Sequence, residues 1–293
     1  MGSAVDLGFG AEDRVVVVHV DDLGMSQAAN QGALLAFEGA ATCGSVMVPC
    51  PGFDELVELA AGRTDLDIGV HLTLNAEYES WRWDPVSDRV PGLVSTGGGM
   101  WRSTAETVEH ASVEEVEIEL RAQIDRALDA GLDVTHLDSH MGTVLNPKFV
   151  DVYVLLGREY RLPLFIPRID ESVLSRGALG DNMRRYVELV AAVEADGFPV
   201  FDQFNADSLE FEPGKGTEHN RRRIEGFAAG LSYLITHCAR GGEQLESITH
   251  DWRQRDEEHR IYSKDGSMQQ VIEAAGVRTI GMRPLRDLLR QRL

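Results

Sequence analysis

Short apolar segments alternate with longer amphipathic ones along almost the whole 293-residue chain. Eight short apolar segments are predicted strands: Val15–Val20, Gly44–Val48, Leu66–Leu74, Val134–Leu137, Leu164–Pro167, Pro199–Phe201, Tyr233–Thr236 and Thr279–Met282. Helical spacing predicts helices between most of them, at Ser112–Ala130, Asn146–Arg161, Asn182–Ala195, Glu218–Gly230 and Pro284–Leu293. This alternation predicts a parallel α/β sheet covered by helices, and seven or eight repeats favour a closed TIM-like barrel over an open sheet.

One long stretch interrupts the alternation. Residues 75–105 contain three tryptophans and the run Gly97-Gly98-Gly99, with no clear helix or strand pattern. A loop of this length inside a compact domain is usually functional, so we predict a lid or a substrate wall. Because no linker, charge block or low-complexity segment divides the chain, residues 1–293 are expected to form a single domain.

The composition limits the classes of partner. The 48 acidic and 28 basic residues give a formal charge of −20, which repels nucleic acid and anionic membrane surfaces. The sequence has neither an apolar span nor a signal-like N-terminus, so the expected location is the cytoplasm. The three cysteines lack C-x-x-C spacing and are expected to be reduced, buried thiols.

Ionisable side chains fall at the ends of the predicted strands, which is where α/β barrels build their active sites. The first strand ends in Asp21 and Asp22, and the third carries His71 within GVHLTLN. The remaining strand-end residues are His136, Asp138 and His140 within THLDSH, then Arg168, Asp202 and His237.

The spacing within THLDSH indicates a metal site. In an extended strand His136, Asp138 and His140 face the same side, and burying several unpaired ionisable groups costs several kcal/mol each. Two imidazoles and a carboxylate leave open positions on a cation, as in catalytic zinc sites, and also suit iron, manganese, cobalt or nickel. At the first strand end, one aspartate can bind the cation while the other accepts a proton from its water.

Three segments in this order, HVDDLGMS, GVHLTLN and THLDSH, make the chain resemble the YdjC-like carbohydrate deacetylases, the family of chitooligosaccharide deacetylase. The resemblance implies a distorted (β/α) barrel related to the polysaccharide deacetylases. This chain departs from the family pattern at DSHMGT and at His237-Cys238-Ala239, so the substrate wall differs.

The resemblance also implies roles for individual residues. Asp22, His71 and His140 would bind one divalent metal ion per chain, with zinc expected first and magnesium, manganese, cobalt, nickel or iron as alternatives. Asp21 would be the general base and His237 the general acid. Arg168 falls near a family arginine that contacts the site.

Several strand-end residues keep more than one interpretation. Asp138 is a ligand, a partner that orients a histidine, or buried polar structure, and the orienting role is favoured. His136 has the same ambiguity, while Arg168 and Asp202 belong either to the site or to a structural ion pair. Two histidines are read as structural: His19 as a hydrogen-bonded core residue, and His259 as part of a solvated loop that continues to the turn at residues 264–266.

The hypothesis from the sequence is a metal-dependent hydrolase that removes acetyl groups from N-acetylated sugars. One alternative is a metal-dependent hydrolase of phosphoesters or other amides, and another is a non-catalytic carbohydrate-binding barrel. The expected partner is a small carbohydrate, without nucleic acid or membrane, and the pattern leaves open whether the chain forms a homo-oligomer.

Overall fold

The computed structural model describes residues 3–169 and 180–292. A parallel sheet forms the centre of the fold. Its spatial order is β4-β3-β2-β1-β6-β5, with β7 beside the start of β1. The strands are β1 (Arg14–Leu23), β2 (Cys43–Val46), β3 (Ile68–Leu72), β4 (Val134–Ser139), β5 (Gln203–Asn205), β6 (Gly230–Thr236) and β7 (Arg278–Thr279).

An extended segment at residues 164–167 closes the sheet into a ring. Leu164 pairs in parallel with Leu137 of β4, and Pro167 pairs in parallel with Phe201, just before β5. The Phe165 amide donates to the Leu137 carbonyl at 3.0 Å, and the Phe201 amide donates to the Ile166 carbonyl at 3.1 Å. The prediction of a distorted (β/α) barrel is confirmed.

Helices surround this ring. The long helix after the loop region begins at a capping box in which Ser112 and Glu115 each accept from the other's backbone amide. Val116, Leu120 and Ile124 on one face of this helix are buried, as their spacing predicts. The helices are α1 (Ser3–Asp6), α2 (Gln27–Phe37), α3 (Phe53–Ala60), α4 (Thr104–His110), α5 (Val113–Asp129), α6 (Val150–Tyr160), α7 (Gly180–Ala195), α8 (Gly216–Glu225), α9 (Glu243–Ile248), α10 (Trp252–Tyr262), α11 (Met268–Ala274) and α12 (Arg283–Arg292). None of the described helices is both long and apolar enough to cross a membrane.

The prediction of a solvated loop around His259 is wrong. The residue lies in α10, where it is 9% exposed, although residues 264–266 do form the expected turn region. The sequence WRQRDEEHRIY looks like a surface segment because charged residues dominate it. Arg255 and Glu258 nevertheless turn inward and are buried, because each finds a partner of opposite charge.

The valines of β1 divide between two cores by strand alternation. Val16, Val18 and Val20 pack in the core that includes helix residues, whereas Val15 and Val17 pack with Phe201 and Tyr233. The second group fills the barrel interior beneath the carboxyl end of β1. All three cysteines are free and buried, as expected.

The carboxyl end of β1 has an unusual backbone. Asp22 has a φ of 67° and Gly24 a φ of 79°, and a Cβ atom on Gly24 would lie 2.8 Å from Val46 Cγ2. Glycine is therefore required at this turn both for its conformation and for its close approach to β2. Ser26 then caps α2 by accepting from the Ala29 amide at 3.2 Å.

Candidate metal centre

Asp22, His71 and His140 meet at the carboxyl end of the barrel. Asp22 is the last residue but one of β1, His71 lies in β3, and His140 begins the 3₁₀ turn His140–Leu145 that follows β4. Asp22 Oδ1 is 3.6 Å from His71 Nε2 and 3.4 Å from His140 Nδ1. All three side chains are buried, and together they form a set of donor atoms that could hold a metal ion.

The hydrogen bonding of Asp22 fits such an ion. Its Oδ2 accepts from Arg255 Nη1 at 2.7 Å, whereas its Oδ1 is buried without a hydrogen-bond partner in the described part of the chain. An unpaired buried carboxylate oxygen is costly unless something compensates it. Donors about 3.4 Å apart are at the spacing expected for ligands about 2.1 Å from one tetrahedral ion.

Outer partners orient both imidazoles. His71 Nδ1 lies 2.9 Å from Asp138 Oδ1, and Ser45 Oγ donates to Asp138 Oδ2 at 2.8 Å. His140 Nε2 lies 2.9 Å from Glu77 Oε2. Each ring therefore uses one nitrogen for a carboxylate and turns the other toward Asp22, an arrangement seen around histidines that bind metal.

The charges in the centre reinforce one another. Burial alone would lower the pKa of His140, but Glu77 and Asp22 raise it to about 10, and Asp138 and Asp21 raise the pKa of His71 against the same burial effect. Burial would raise the pKa of Asp22, yet His140 and Arg255 hold it well below its usual range. The buried carboxylates of the centre therefore stabilise positive charge beside them. Protons on the two imidazoles supply that charge when no cation is bound.

Asp21 occupies the position beside this centre. Its Oδ1 accepts from His19 Nδ1 at 2.7 Å. Its Oδ2 lies 3.7 Å from His71 Nε2 and 3.9 Å from His237 Nε2, both beyond hydrogen-bond distance. One carboxylate oxygen is therefore anchored, and the other faces the space between the Asp22 centre and His237.

His136 lies deeper in the barrel than His140. Its Nε2 is 2.9 Å from His19 Nε2, and its Nδ1 is 2.9 Å from Thr135 Oγ1. Burial and the neighbouring His19 lower the pKa of His136 to about 3, so the ring is neutral. His136 connects to Asp21 through His19 and lies in a layer beneath the candidate metal centre.

Arg168 and Asp202 lie together, away from these contacts. Arg168 Nε donates to Asp202 Oδ1 at 3.3 Å, and its guanidinium also pairs with Glu194 of α7. Asp202 Oδ2 accepts from the Leu231 amide at 2.9 Å. The structure thus joins these two predicted residues to each other and to a covering helix, with no contact described between them and Asp22.

The loop at residues 75–105 supplies part of the wall around the centre. Glu77 contacts His140, and Tyr78 accepts from Arg255 Nη2 at 3.2 Å. Trp83 is buried with its ring centroid 6.3 Å from that of His140.

The other two tryptophans of this loop make different contacts. The Trp81 indole N–H donates to the Met25 carbonyl, and the Trp101 indole N–H donates to the Gly92 carbonyl.

Four residues around the centre were not predicted as site residues: Ser45, Glu77, Arg255 and His19. Strand parity could have identified His19, because it precedes Asp21 by two positions and faces the same side. Arg255 had no local signal, since it lies 233 residues from Asp22 and within a charged helix.

The barrel and its Asp/His donor set define a class of protein with a candidate metal centre at the carboxyl ends of parallel strands. The family model described as YdjC-like protein matches residues 15–273. This match covers most of the chain, and the chain belongs to the YdjC-like family.

Two named relatives agree with this membership, and a solved structure agrees with the fold. A carbohydrate deacetylase of Thermus thermophilus is 39% identical over 253 residues, which cover 86% of this chain and 87% of that protein. A carbohydrate deacetylase of Brevibacillus brevis is 37% identical over 153 residues, which cover 52% of this chain and 59% of that protein. A solved Enterococcus faecalis structure, described as a candidate cellobiose-phosphate cleavage protein, covers 93% of this chain and 99% of its own at 24% identity, with a TM-score of 0.75. That structure supports the fold.

Proposed function

We propose that this protein is a metal-dependent carbohydrate N-deacetylase that hydrolyses the acetamide of an N-acetylated sugar. The observation that carries the proposal is the unpaired Asp22 Oδ1 between two imidazole nitrogens, with Asp21 beside it. Two relatives described as carbohydrate deacetylases support the substrate class. The three free, buried cysteines fit the reducing environment of the cytoplasm, which is the proposed location.

Asp22, His71 and His140 would hold the metal ion, and zinc is the proposed ion because imidazole and carboxylate ligands suit it. A divalent cation at this centre supplies Lewis acidity toward the acetyl carbonyl oxygen and toward water. Asp138 and Glu77 keep the two imidazoles turned toward Asp22.

Asp21 is proposed to accept the proton of the attacking water. Its Oδ1 is fixed by the 2.7 Å contact with His19 Nδ1, so its Oδ2 is held facing the centre. Fixing the base in this way removes the rotational freedom that would otherwise have to be lost in the transition state.

His237 is proposed to protonate the leaving amine. Its Nε2 lies 3.9 Å from Asp21 Oδ2, so acid and base face each other across the space beside Asp22. Amide hydrolysis needs one proton accepted and one proton donated, and these two neighbouring groups would supply both functions on the same side of the centre.

The test combines elemental analysis with acetate release from a panel of N-acetylated sugars. The wild type should hold one equivalent of metal and release acetate, and His71→Ala and His140→Ala should lose both. Asp21→Asn should retain metal and lose about 10²- to 10⁴-fold in turnover, the usual contribution of a general base. The matched control is Asp88→Asn in the exposed part of the loop, which should behave as wild type.

Metal binding without acetate release, but with phosphate release from phosphorylated sugars, would replace the deacetylase with a phosphoester hydrolase. Sugar binding without either product would indicate a binding protein. Wild-type turnover in Asp21→Asn would remove Asp21 from the role of base.

A further inference from the structure

Two buried side chains lie behind His237, on the side away from Asp21. Ser208 lies in the loop after β5, Glu258 lies in α10, and both are 0% exposed. We propose that Ser208 and Glu258 are positioning residues that hold a proton on His237 Nδ1 and leave Nε2 as the nitrogen that exchanges protons. The consequence for catalysis rests on the proposed function.

The direction of each hydrogen bond follows from the carboxylate. Glu258 Oε2 accepts from the His237 backbone amide at 2.7 Å and from the Ser208 hydroxyl at 2.7 Å. An ionised carboxylate can only accept, so the Ser208 proton points at Glu258. Ser208 Oγ is therefore left as an acceptor for His237 Nδ1, which lies 2.9 Å away.

The other oxygen of Glu258 also has cationic and polar partners. Arg223 Nη1 lies 3.5 Å from Glu258 Oε1, and Asn220 Nδ2 donates to the same oxygen at 3.4 Å. Arg223 is itself buried and is held by Asn205 and the Ile235 carbonyl. Glu258 thus has a guanidinium and three hydrogen-bond donors around it, the kind of partners that a buried carboxylate needs.

This arrangement determines which ring nitrogen of His237 exchanges protons. With a proton fixed on Nδ1, the protonated ring gives up its other proton from Nε2, the nitrogen that faces Asp21 Oδ2. In the proposed reaction that proton goes to the leaving amine nitrogen, and the ring remains neutral with Nδ1–H. The opposite tautomer would present an N–H to the centre even in the neutral ring and could not take a proton there.

The experiment measures the tautomer of His237 directly. Long-range ¹H–¹⁵N spectra of the full chain, with zinc added as a diamagnetic ion, distinguish a protonated ring nitrogen from an unprotonated one. The His237 signals are assigned by their absence in His237→Gln. The neutral ring should carry its proton on Nδ1 in the wild type, and Ser208→Ala should shift the population toward Nε2–H.

Ser232→Ala is the matched control, because Ser232 is equally buried but its hydroxyl has no described hydrogen-bond partner. It should leave the His237 tautomer and turnover unchanged. Ser208→Ala should lower kcat about 10- to 100-fold with little change in KM, a fraction of what a general acid contributes. Ser208→Thr, which keeps the hydroxyl, should restore the wild-type tautomer.

A wild-type ring protonated on Nε2 would overturn the proposal, as would a wild-type tautomer in Ser208→Ala. The tautomer does not depend on turnover, so the two proposals fail separately. Nδ1–H in a chain that releases no acetate would contradict the deacetylase and leave the positioning role standing.

Discussion

At the scale of single residues, the two oxygens of Asp22 have different environments. Arg255 fixes Oδ2 at 2.7 Å, and Oδ1 is left facing His71 and His140. An arginine on one oxygen restricts the carboxylate to binding an ion through the other. The arrangement therefore favours a small ion with few ligands over calcium, which takes six to eight oxygen donors.

Glu77 gives the sharpest test of the partners behind the imidazoles. Replacing Glu77 by Gln removes the charge that lies 2.9 Å from His140 Nε2. We expect zinc affinity to fall about 10- to 100-fold, the usual effect of losing such a partner. Competition with a chelating dye would measure it, and Glu79→Gln in the same loop, where the side chain is exposed, serves as control. Equal affinity in the wild type and Glu77→Gln would contradict the orienting role.

The sequence could predict residues at strand ends but not those that reach the centre from elsewhere. Asp21, Asp22 and His140 follow apolar runs and His71 lies near the end of one, and barrel geometry brings such positions together. Arg255 comes from a helix and Glu77 from a loop, so only the three-dimensional path of the chain places them there. Their positions had no periodic signal.

At the scale of elements, β3 and β4 approach closely because of one glycine. A Cβ atom on Gly69 would lie 2.6 Å from the His136 ring and from the His136 carbonyl oxygen. Gly69→Ala should therefore lower the free energy of unfolding by about 1–3 kcal/mol, the usual cost of overpacking. Urea denaturation would measure this loss. Gly97→Ala, where a Cβ atom meets nothing within 4 Å, should change it by less than about 0.5 kcal/mol. Equal stability of the two variants would contradict the close approach.

Element boundaries were predictable where the pattern was long. The predicted helix at residues 112–130 forms at Val113–Asp129. The predicted strand at residues 199–201 fits less well, because pairing with β6 begins at Gln203 and Phe201 bridges to Pro167 instead. A three-residue strand contains too few side chains for alternation to fix its register.

At the scale of the whole molecule, the protonated imidazoles couple stability to pH when metal is absent. The pKa of His140 is raised to about 10, and that of His71 is also raised. A raised folded-state pKa adds stability that is complete below the unfolded value, about 6.5, and is lost as the pH rises toward the folded value. The chelator-treated chain should therefore lose on the order of 2 kcal/mol between about pH 6.5 and 8.5.

Urea denaturation at the two pH values would measure this loss, and His140→Gln should remove most of it. Saturating zinc should reverse the trend, because metal ligands must be deprotonated to bind. A chelator-treated wild type of equal stability at both pH values would contradict the assigned charge of the centre.

In the part of the chain that the structure describes, the ring closes unevenly, since single bridges form at Leu164 and Pro167, whereas β1 and β6 form a ladder. Local opening begins where backbone hydrogen bonds are fewest. The segment at residues 164–167, the seam of the barrel, is therefore the part that we expect to open first. Asp22, His71 and His140 belong to the continuous arc from β1 to β4, and His237 follows β6 on the other side of β1. The barrel can thus loosen at the seam while the chemical groups keep their mutual distances.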